Sequence, residues 1–120
     1  MRLFPVAISI VALSALTALP AAADYSCSKY GTVKSQNSNT PAKLTFINKT
    51  PEMRVIEWIN YQGGLQEYAR LDPGQSYTVN TFLTHPWLVS DGPGNCYKIY
   101  LPKAGSRTVK LKDYGWGGGD

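Results

Sequence analysis

Short runs rich in β-forming residues follow one another through the last two thirds of the chain and are separated by turn residues. Glycine and proline recur between the runs, as in Asp72-Pro73-Gly74, at positions where tight turns need them. This spacing predicts an all-β fold, a small seven-stranded antiparallel β sandwich. The predicted strands are residues 44–48, 54–60, 65–71, 76–83, 87–89, 97–101 and 108–111.

The second predicted strand carries apolar side chains on both of its faces. Ile56 and Trp58 share one face, whereas Val55 and Ile59 share the other. Because each face also holds polar residues, the pattern alone leaves open which face meets the core.

The first 23 residues have the form of a secretory signal peptide. A positive start at Met1-Arg2 leads into an almost wholly apolar run over residues 3–19, and three alanines precede Asp24. An uncleaved membrane anchor is the alternative, but the run is shorter than the roughly 20 residues that a spanning helix needs. Removing 23 of the 120 residues leaves 97, enough for one domain with one core.

Three segments are expected in the remaining chain. Residues 24–41 are polar and turn-rich and predict a loosely ordered N-terminal arm, followed by a β-sandwich binding domain over 42–112. Residues 113–120 predict a glycine-rich flexible tail, in which Tyr114 and Trp116 offer a small contact surface.

Both cysteines of the chain, Cys27 and Cys96, lie in the part predicted to be exported. Oxidising compartments favour a disulfide between them, which would also pin the arm to the sandwich. Two cysteines and the single histidine are too few for a metal site, and no residues show ligand spacing, so no metal or other cofactor is predicted. We expect a secreted or periplasmic protein.

The charge pattern does not indicate a nucleic-acid partner. The net charge is +4, and the lysines and arginines are scattered along the chain. A nucleic-acid surface needs a basic cluster or stripe, so the scattered charges predict an ordinary solvated surface. After signal removal, no membrane partner is expected either.

Aromatic residues are concentrated in the middle of the chain, near the single histidine, His85. Any one of them is explained as core packing, but as a group with nearby hydroxyls they also have the composition of a shallow ligand pocket. Both interpretations stay open on composition alone. The residues are Trp58, Tyr61, Tyr68, Tyr77, Phe82 and Trp87.

Three segments in this order, Thr45–Thr50, Val55–Tyr61 and Tyr68–Gly74, resemble the β domain of the von Hippel-Lindau tumour-suppressor family. The resemblance continues through Ser76–Asp91, needs no gap from Trp58 through Asp91, and fades after Leu101. It implies a seven-stranded sandwich that binds a peptide in extended form and buries a 4-hydroxyproline side chain in an aromatic slot.

The resemblance also implies roles for individual residues. Trp58 and Trp87 match the walls of the slot, and Tyr68 matches the phenol that flanks the proline ring. His85 matches the imidazole that hydrogen-bonds the ligand hydroxyl, and Thr81 stands where the family has a serine. Asn80 replaces a histidine that contacts the peptide backbone, and Phe82 replaces a tyrosine beside it. A purely structural role stays open for His85 and Thr81.

The helical domain with which the family recruits elongin and a cullin ubiquitin ligase has no counterpart after Leu111. No ubiquitin-ligase partner is therefore expected. The predicted export signal and disulfide are also not features of the intracellular protein of that family.

The leading hypothesis is a secreted module that binds proline- or hydroxyproline-containing peptides or proteins and is not an enzyme. A structural or envelope-associated interaction protein with a vestigial pocket is the alternative. A small hydrolase is a further one, with His85 as base, Ser76 or Ser90 as nucleophile and Asp72 or Asp91 as orienting group, although no catalytic motif surrounds them. The Asn48-Lys49-Thr50 sequon allows glycosylation in a eukaryotic host or arises by chance.

Overall fold

The computed structural model describes residue 3 and residues 23–113, and seven strands form in this part of the chain. Each predicted strand overlaps an observed one, and the largest differences are the earlier starts of the first and last strands. The strands are β1 Pro41–Asn48, β2 Arg54–Ile59, β3 Leu65–Leu71, β4 Ser76–Phe82, β5 Trp87–Ser90, β6 Cys96–Tyr100 and β7 Gly105–Leu111.

Two predicted segments fall mainly or wholly outside this part of the chain. The signal peptide over 1–23 is described only at residues 3 and 23, and the tail residues Tyr114 and Trp116 are among those not described. Both segments therefore stay predictions. Within the described ranges, no helix is long and apolar enough to cross a membrane.

The strands form two sheets, with the orders β4-β1-β7 and β3-β2-β5-β6, which confirms the predicted all-β sandwich. Four of the five strand pairs are antiparallel, as predicted, but β1 and β7 run parallel. The chain leaves β6 in one sheet and crosses to the other through residues 101–104, so no hairpin joins β7 to its neighbour. A crossover of this kind, unlike a tight turn, permits parallel pairing.

Apolar side chains from both sheets meet in one core. The rings of Phe46 on β1 and Tyr100 on β6 pack edge to face, with centroids 5.8 Å apart. Burial of such side chains is the main favourable contribution to folding. The core comprises Leu44, Phe46, Ile56, Leu71, Trp87, Val89, Tyr97, Tyr100, Val109 and Leu111.

Both faces of β2 are buried, which explains its ambiguous pattern. Ile56 belongs to the core between the sheets, and Trp58 packs against that core. Ile59, on the other face, forms a second apolar cluster with Leu88 and Ile99. Residues Tyr25 and Cys96 pack against this second cluster, so part of its cover comes from the N-terminal arm.

The arm is attached to the sandwich at several points, unlike the loose segment that its polar sequence predicts. Tyr25 exchanges two backbone hydrogen bonds with Ile99, at 2.9 and 3.1 Å. The predicted disulfide between Cys27 and Cys96 is confirmed. Ser35 is buried, and its N–H donates to the carbonyl of Asn60 at 3.1 Å. Because many of these contacts involve backbone groups, composition gave little sign of them.

A charged pair ties the start of the arm to β7. Two nitrogens of the Arg107 guanidinium donate to the two carboxylate oxygens of Asp24, each at 2.7 Å. The N–H of Leu101 also donates to Asp24 at 2.9 Å, and Arg107 donates back to the Leu101 carbonyl. Two-pronged, charge-assisted bonds of this kind fix orientation as well as distance.

Asn48, the asparagine of the sequon, is fully buried at the end of β1. Its side-chain nitrogen donates to the carbonyls of Glu52 and Leu71, both at 2.8 Å. Its side-chain oxygen accepts from the N–H and the hydroxyl of Thr50. In the folded domain this nitrogen has neither the space nor a free hydrogen-bonding position for a glycan.

We expect Asn48→Asp to lower the free energy of unfolding by about 2 kcal/mol at pH 7, because a carboxylate cannot donate to the carbonyls of Glu52 and Leu71 and places a charge at a fully buried position. Urea unfolding followed by tryptophan fluorescence measures the change. Asn37→Asp makes the same change of charge at an exposed position and should have almost no effect. Equal losses in the two variants would show that the hydrogen bonds of Asn48 do not stabilise the fold.

Candidate ligand-binding site

A cavity of about 190 Å³ opens beside β3 and β4, which are edge strands of the two sheets. All six residues predicted for the ligand site line it, together with Tyr61, Val79 and Phe82. We call this the aromatic cavity. Its lining residues are Trp58, Tyr61, Tyr68, Val79, Asn80, Thr81, Phe82, His85 and Trp87.

Three aromatic rings form the walls. Trp58 and Trp87 are directly paired across β2 and β5. The Tyr68 ring lies edge-on to both indoles, with centroid distances of 6.4 Å to Trp58 and 4.9 Å to Trp87. Such edge-on contacts are the arrangement that aromatic rings prefer, so the walls support one another.

Tyr68 reaches the cavity through an irregularity in β3. Ile56 of β2 pairs with Ala69, whereas the next residue, Glu57, pairs with Glu67. Tyr68 is therefore the extra residue of a β-bulge, which changes the direction of a side chain relative to regular pleating. No sequence pattern predicted this bulge.

The indole nitrogens of the two tryptophans are held by hydroxyl groups. Trp87 Nε1–H donates to Thr81 Oγ1 at 3.1 Å. Trp58 Nε1–H donates to Ser35 Oγ at 2.8 Å, and the Ser35 hydroxyl in turn donates to the carbonyl of Ile59 at 2.6 Å. These bonds fix the orientation of both rings. Thr81 accepts from Trp87, which leaves its own hydrogen to donate.

His85 is buried, and its Nε2 lies 3.2 Å from the hydroxyl of Tyr61. Burial lowers the pKa of His85 below its usual value of 6.5, and a hydrogen bond to the backbone of Gln36 opposes this only partly. The imidazole is therefore neutral at pH 7. A neutral imidazole has one nitrogen that accepts a hydrogen bond.

Core packing and a ligand pocket were the two interpretations of the aromatic residues, and both apply to Trp87. It belongs to the buried core and also lines the aromatic cavity. Tyr61 and Phe82 line it too, although neither was among the predicted site residues. Ser35, which orients Trp58, lies in a polar run without any signal for such a role. The turn residues around Tyr61 could be recognised in the sequence, but the contact of Tyr61 with His85 could not.

Two of the residues named for the hydrolase alternative, Ser90 and Asp91, are engaged in other contacts. Ser90 is buried and donates to Glu57 Oε1 at 2.6 Å. The Asp91 carboxylate accepts from the N–H groups of Gly94 and Asn95 and closes its own turn. Among the described residues, no group of three His, Cys, Asp or Glu side chains has the arrangement of a metal site.

A family model, that of the VHL beta domain, matches residues 33–98, which are 66 of the 120 residues. The match begins within the arm at Val33 and includes every residue that lines the aromatic cavity. This chain belongs to the VHL beta domain family. The resemblance of its strand segments to that family is thereby confirmed.

In VHL itself, the VHL beta domain recognises hydroxyproline-containing substrates and is a binding module. The matched segment ends before β7 and excludes Cys27. The disulfide thus joins Cys27, outside the matched segment, to Cys96 within it, and the Asp24–Arg107 pair joins two residues outside it. These two connections attach flanking chain to a fold that the family shares.

Proposed function

We propose that this domain binds a segment of another protein in extended form and takes the five-membered ring of a proline or 4-hydroxyproline into the aromatic cavity. The convergence of three aromatic walls with the Thr81 hydroxyl and a neutral His85 is the observation that carries the proposal. The cavity is smaller than the roughly 300 Å³ or more of pockets for whole drug-sized ligands, so it suits one small side chain.

A prolyl ring is a good match to these walls. The ring is apolar and already restricted in conformation, so aromatic faces can bury it with little further loss of freedom. A 4-hydroxyl on that ring needs hydrogen-bonding partners once it leaves water. Thr81 has a hydrogen to donate, and neutral His85 has a nitrogen that accepts.

The edge of β4 offers a place for the backbone on either side of the ring. β4 pairs with β1 on one side only, and Asn80 and Phe82, near its end, line the aromatic cavity. Edge strands leave backbone N–H and C=O groups that an extended peptide can pair with. The Asn80 side chain replaces the family's histidine at a backbone-contacting position and keeps hydrogen-bonding groups there.

We further propose that the protein acts in an oxidising compartment outside the cytosol, either secreted or periplasmic. The Cys27–Cys96 disulfide supports this compartment, because structural disulfides are rare in reducing ones. The apolar run over residues 3–19 adds the form of an export signal. Ligands there would be exported proteins rich in proline or in hydroxyproline.

A blocked pentapeptide with a central 4-hydroxyproline should bind roughly five- to tenfold more tightly than its prolyl twin, because two protein groups replace the water bonds of the buried hydroxyl. Isothermal titration calorimetry on the purified protein gives both dissociation constants. His85→Ala and Thr81→Val should reduce the ratio toward one. Thr81→Ser keeps the hydroxyl and should preserve it.

Three outcomes separate the parts of this proposal. Equal affinity of the two peptides for the native protein would remove recognition of the hydroxyl and leave a cavity for proline alone. Absence of binding by either peptide would refute the proposed function. Equal ratios in Thr81→Val and Thr81→Ser would exclude the Thr81 hydroxyl as a partner.

A broader protein-interaction role is the second candidate, and one observation favours it. Three aromatic side chains that line the aromatic cavity are also exposed: Tyr61, Tyr68 and Phe82. Exposed apolar groups that cluster in this way mark contact surfaces. In that role, the rim would bind a folded partner, and the cavity would be vestigial.

A further inference from the structure

The turn between β2 and β3 holds its backbone in a fixed shape. The side-chain oxygen of Asn60 accepts from the N–H groups of Gln62 and Gly64, at 3.0 and 2.9 Å. Gly63 has a φ of 83°, a left-handed conformation that glycine adopts without strain. Tyr61 lies inside this turn, so its backbone is fixed while its side chain, 42% exposed, has room to rotate.

The Tyr61 side chain points from this turn to the polar side of the aromatic cavity. Its ring is edge-on to Trp58 and to His85, with centroids 5.5 and 5.4 Å away. Its hydroxyl lies 3.2 Å from His85 Nε2. Tyr61 therefore contacts the same imidazole that the proposed function assigns to a ligand hydroxyl.

The direction of this hydrogen bond follows from the other contact of the ring. The Gln36 backbone raises the pKa of His85, which is the effect of a carbonyl that accepts from a ring N–H. Because Nε2 is the nitrogen near Tyr61, we assign Nδ1 as the donor to Gln36. In the neutral ring Nε2 is then the acceptor, and the Tyr61 hydroxyl is the donor.

Among the described residues that line the aromatic cavity, none has a charged side chain that could compete for the His85 nitrogen. The titratable ones are Tyr61 on the turn, Tyr68 on β3 and His85 itself, and none is a carboxylate, a lysine or an arginine. The acceptor nitrogen of His85 thus has Tyr61 as its partner in the absence of a ligand.

We propose that Tyr61 is a specificity-determining residue, whose hydroxyl occupies the acceptor nitrogen of His85 and must be displaced by the hydroxyl of an incoming ligand. This inference rests on the proposed function and adds a competing group inside the protein. A prolyl ring leaves the Tyr61–His85 bond intact, whereas a 4-hydroxyprolyl ring exchanges it for its own. The displaced Tyr61 hydroxyl turns into water, so the exchange costs one protein hydrogen bond.

The first test is the ratio of the two peptide affinities in Tyr61→Phe. Removing the competing hydroxyl should raise the preference for the hydroxyprolyl peptide by roughly two- to tenfold, the range that corresponds to one net hydrogen bond. Prolyl-peptide affinity should stay nearly unchanged. Tyr30→Phe removes a hydroxyl from an exposed ring that does not line the cavity and is the matched control.

The opposite results are equally informative. A lower preference in Tyr61→Phe would mean that Tyr61 binds the ligand hydroxyl itself, and an unchanged preference would mean that it takes no part; either result overturns the proposal. If neither peptide binds the native protein, the proposed function and the specificity role both fail. Binding with an unchanged ratio overturns the specificity role alone.

A second measurement needs no ligand. His85 is the single histidine of the chain, so its imidazole resonances are unambiguous in an NMR titration. Donation from Tyr61 to Nε2 favours the neutral ring, and Tyr61→Phe should therefore raise the pKa of His85. A lowered pKa would show that His85 donates to Tyr61, and an unchanged pKa would show that the contact is absent in solution; each of these results would overturn the displacement.

Discussion

Replacement of both cysteines, Cys27→Ala with Cys96→Ala, should lower the free energy of unfolding by about 4 kcal/mol. The disulfide joins residues 69 apart in sequence, and opening a loop of that length restores this much conformational entropy to the unfolded chain. The loss is large for a domain of this size, whose total stability is commonly about 5 to 15 kcal/mol. Urea unfolding of the double variant and of the native protein measures the difference.

Two observations distinguish lost cross-linking from lost packing, since Cys96 also contacts the second apolar cluster. Native protein unfolded under reducing conditions keeps both sulfur atoms and should show nearly the same loss as the double variant. Hydrogen exchange should accelerate first at the amides of Tyr25 and Ile99, which bond the arm to β6. A loss below about 1 kcal/mol in both samples would contradict the chain-entropy explanation.

The strands could be predicted because their signals are local. Turn residues such as Asp72-Pro73-Gly74 mark where a strand ends, and Gly74 indeed has a positive φ of 85° in the β3–β4 turn. The parallel pairing of β1 with β7 could not be predicted in this way. It depends on which sheet the chain enters after β6, and no local pattern encodes that choice.

The positions of the six predicted site residues followed from their order along the chain, because the resemblance needs no gap from Trp58 to Trp87. Their geometry did not follow from it. Tyr68 faces the cavity because β3 contains an extra residue, and the orientation of Trp58 depends on Ser35, 23 positions earlier. Contacts of this kind join residues that are distant in sequence or displaced from the regular pleat.

The arm shows why polar composition is a poor guide to disorder in this chain. Many of its hydrogen bonds use backbone groups and small hydroxyls, as where the Thr84 hydroxyl donates to the Gln36 carbonyl at 2.6 Å. The Gln36 backbone also opposes the lowering of the pKa of His85, so the arm influences the protonation of a residue that lines the aromatic cavity. The attachment of the arm to the sandwich therefore affects the proposed ligand binding as well as stability.

Arg107→Ala should lower the free energy of unfolding by about 2 to 3 kcal/mol at pH 7. The substitution leaves the Asp24 carboxylate without its two-pronged partner in a site where the two side chains are only 15% and 18% exposed. A fully buried charge left unpaired costs about 3 to 5 kcal/mol, and the remaining exposure to water reduces that figure. Arg70→Ala, which breaks a pair of similar length with Glu67 at an exposed position, should have a much smaller effect.

The pH dependence of this loss tests its electrostatic origin. Burial alone would raise the pKa of Asp24, but the hydrogen bonds from Arg107 and the Leu101 N–H outweigh it and lower the pKa below the usual 3.8. A carboxyl whose pKa is lower in the folded state stabilises the fold above its unfolded-state pKa, and this contribution disappears as the pH falls through the folded-state pKa. The difference between native protein and Arg107→Ala should therefore be constant from pH 7 to about pH 5 and shrink below about pH 4. The Arg107 guanidinium also lies over the Tyr100 ring, 5.6 Å from its centroid. A difference in stability that is undiminished at pH 2 would assign the loss to this packing and not to the bond with Asp24.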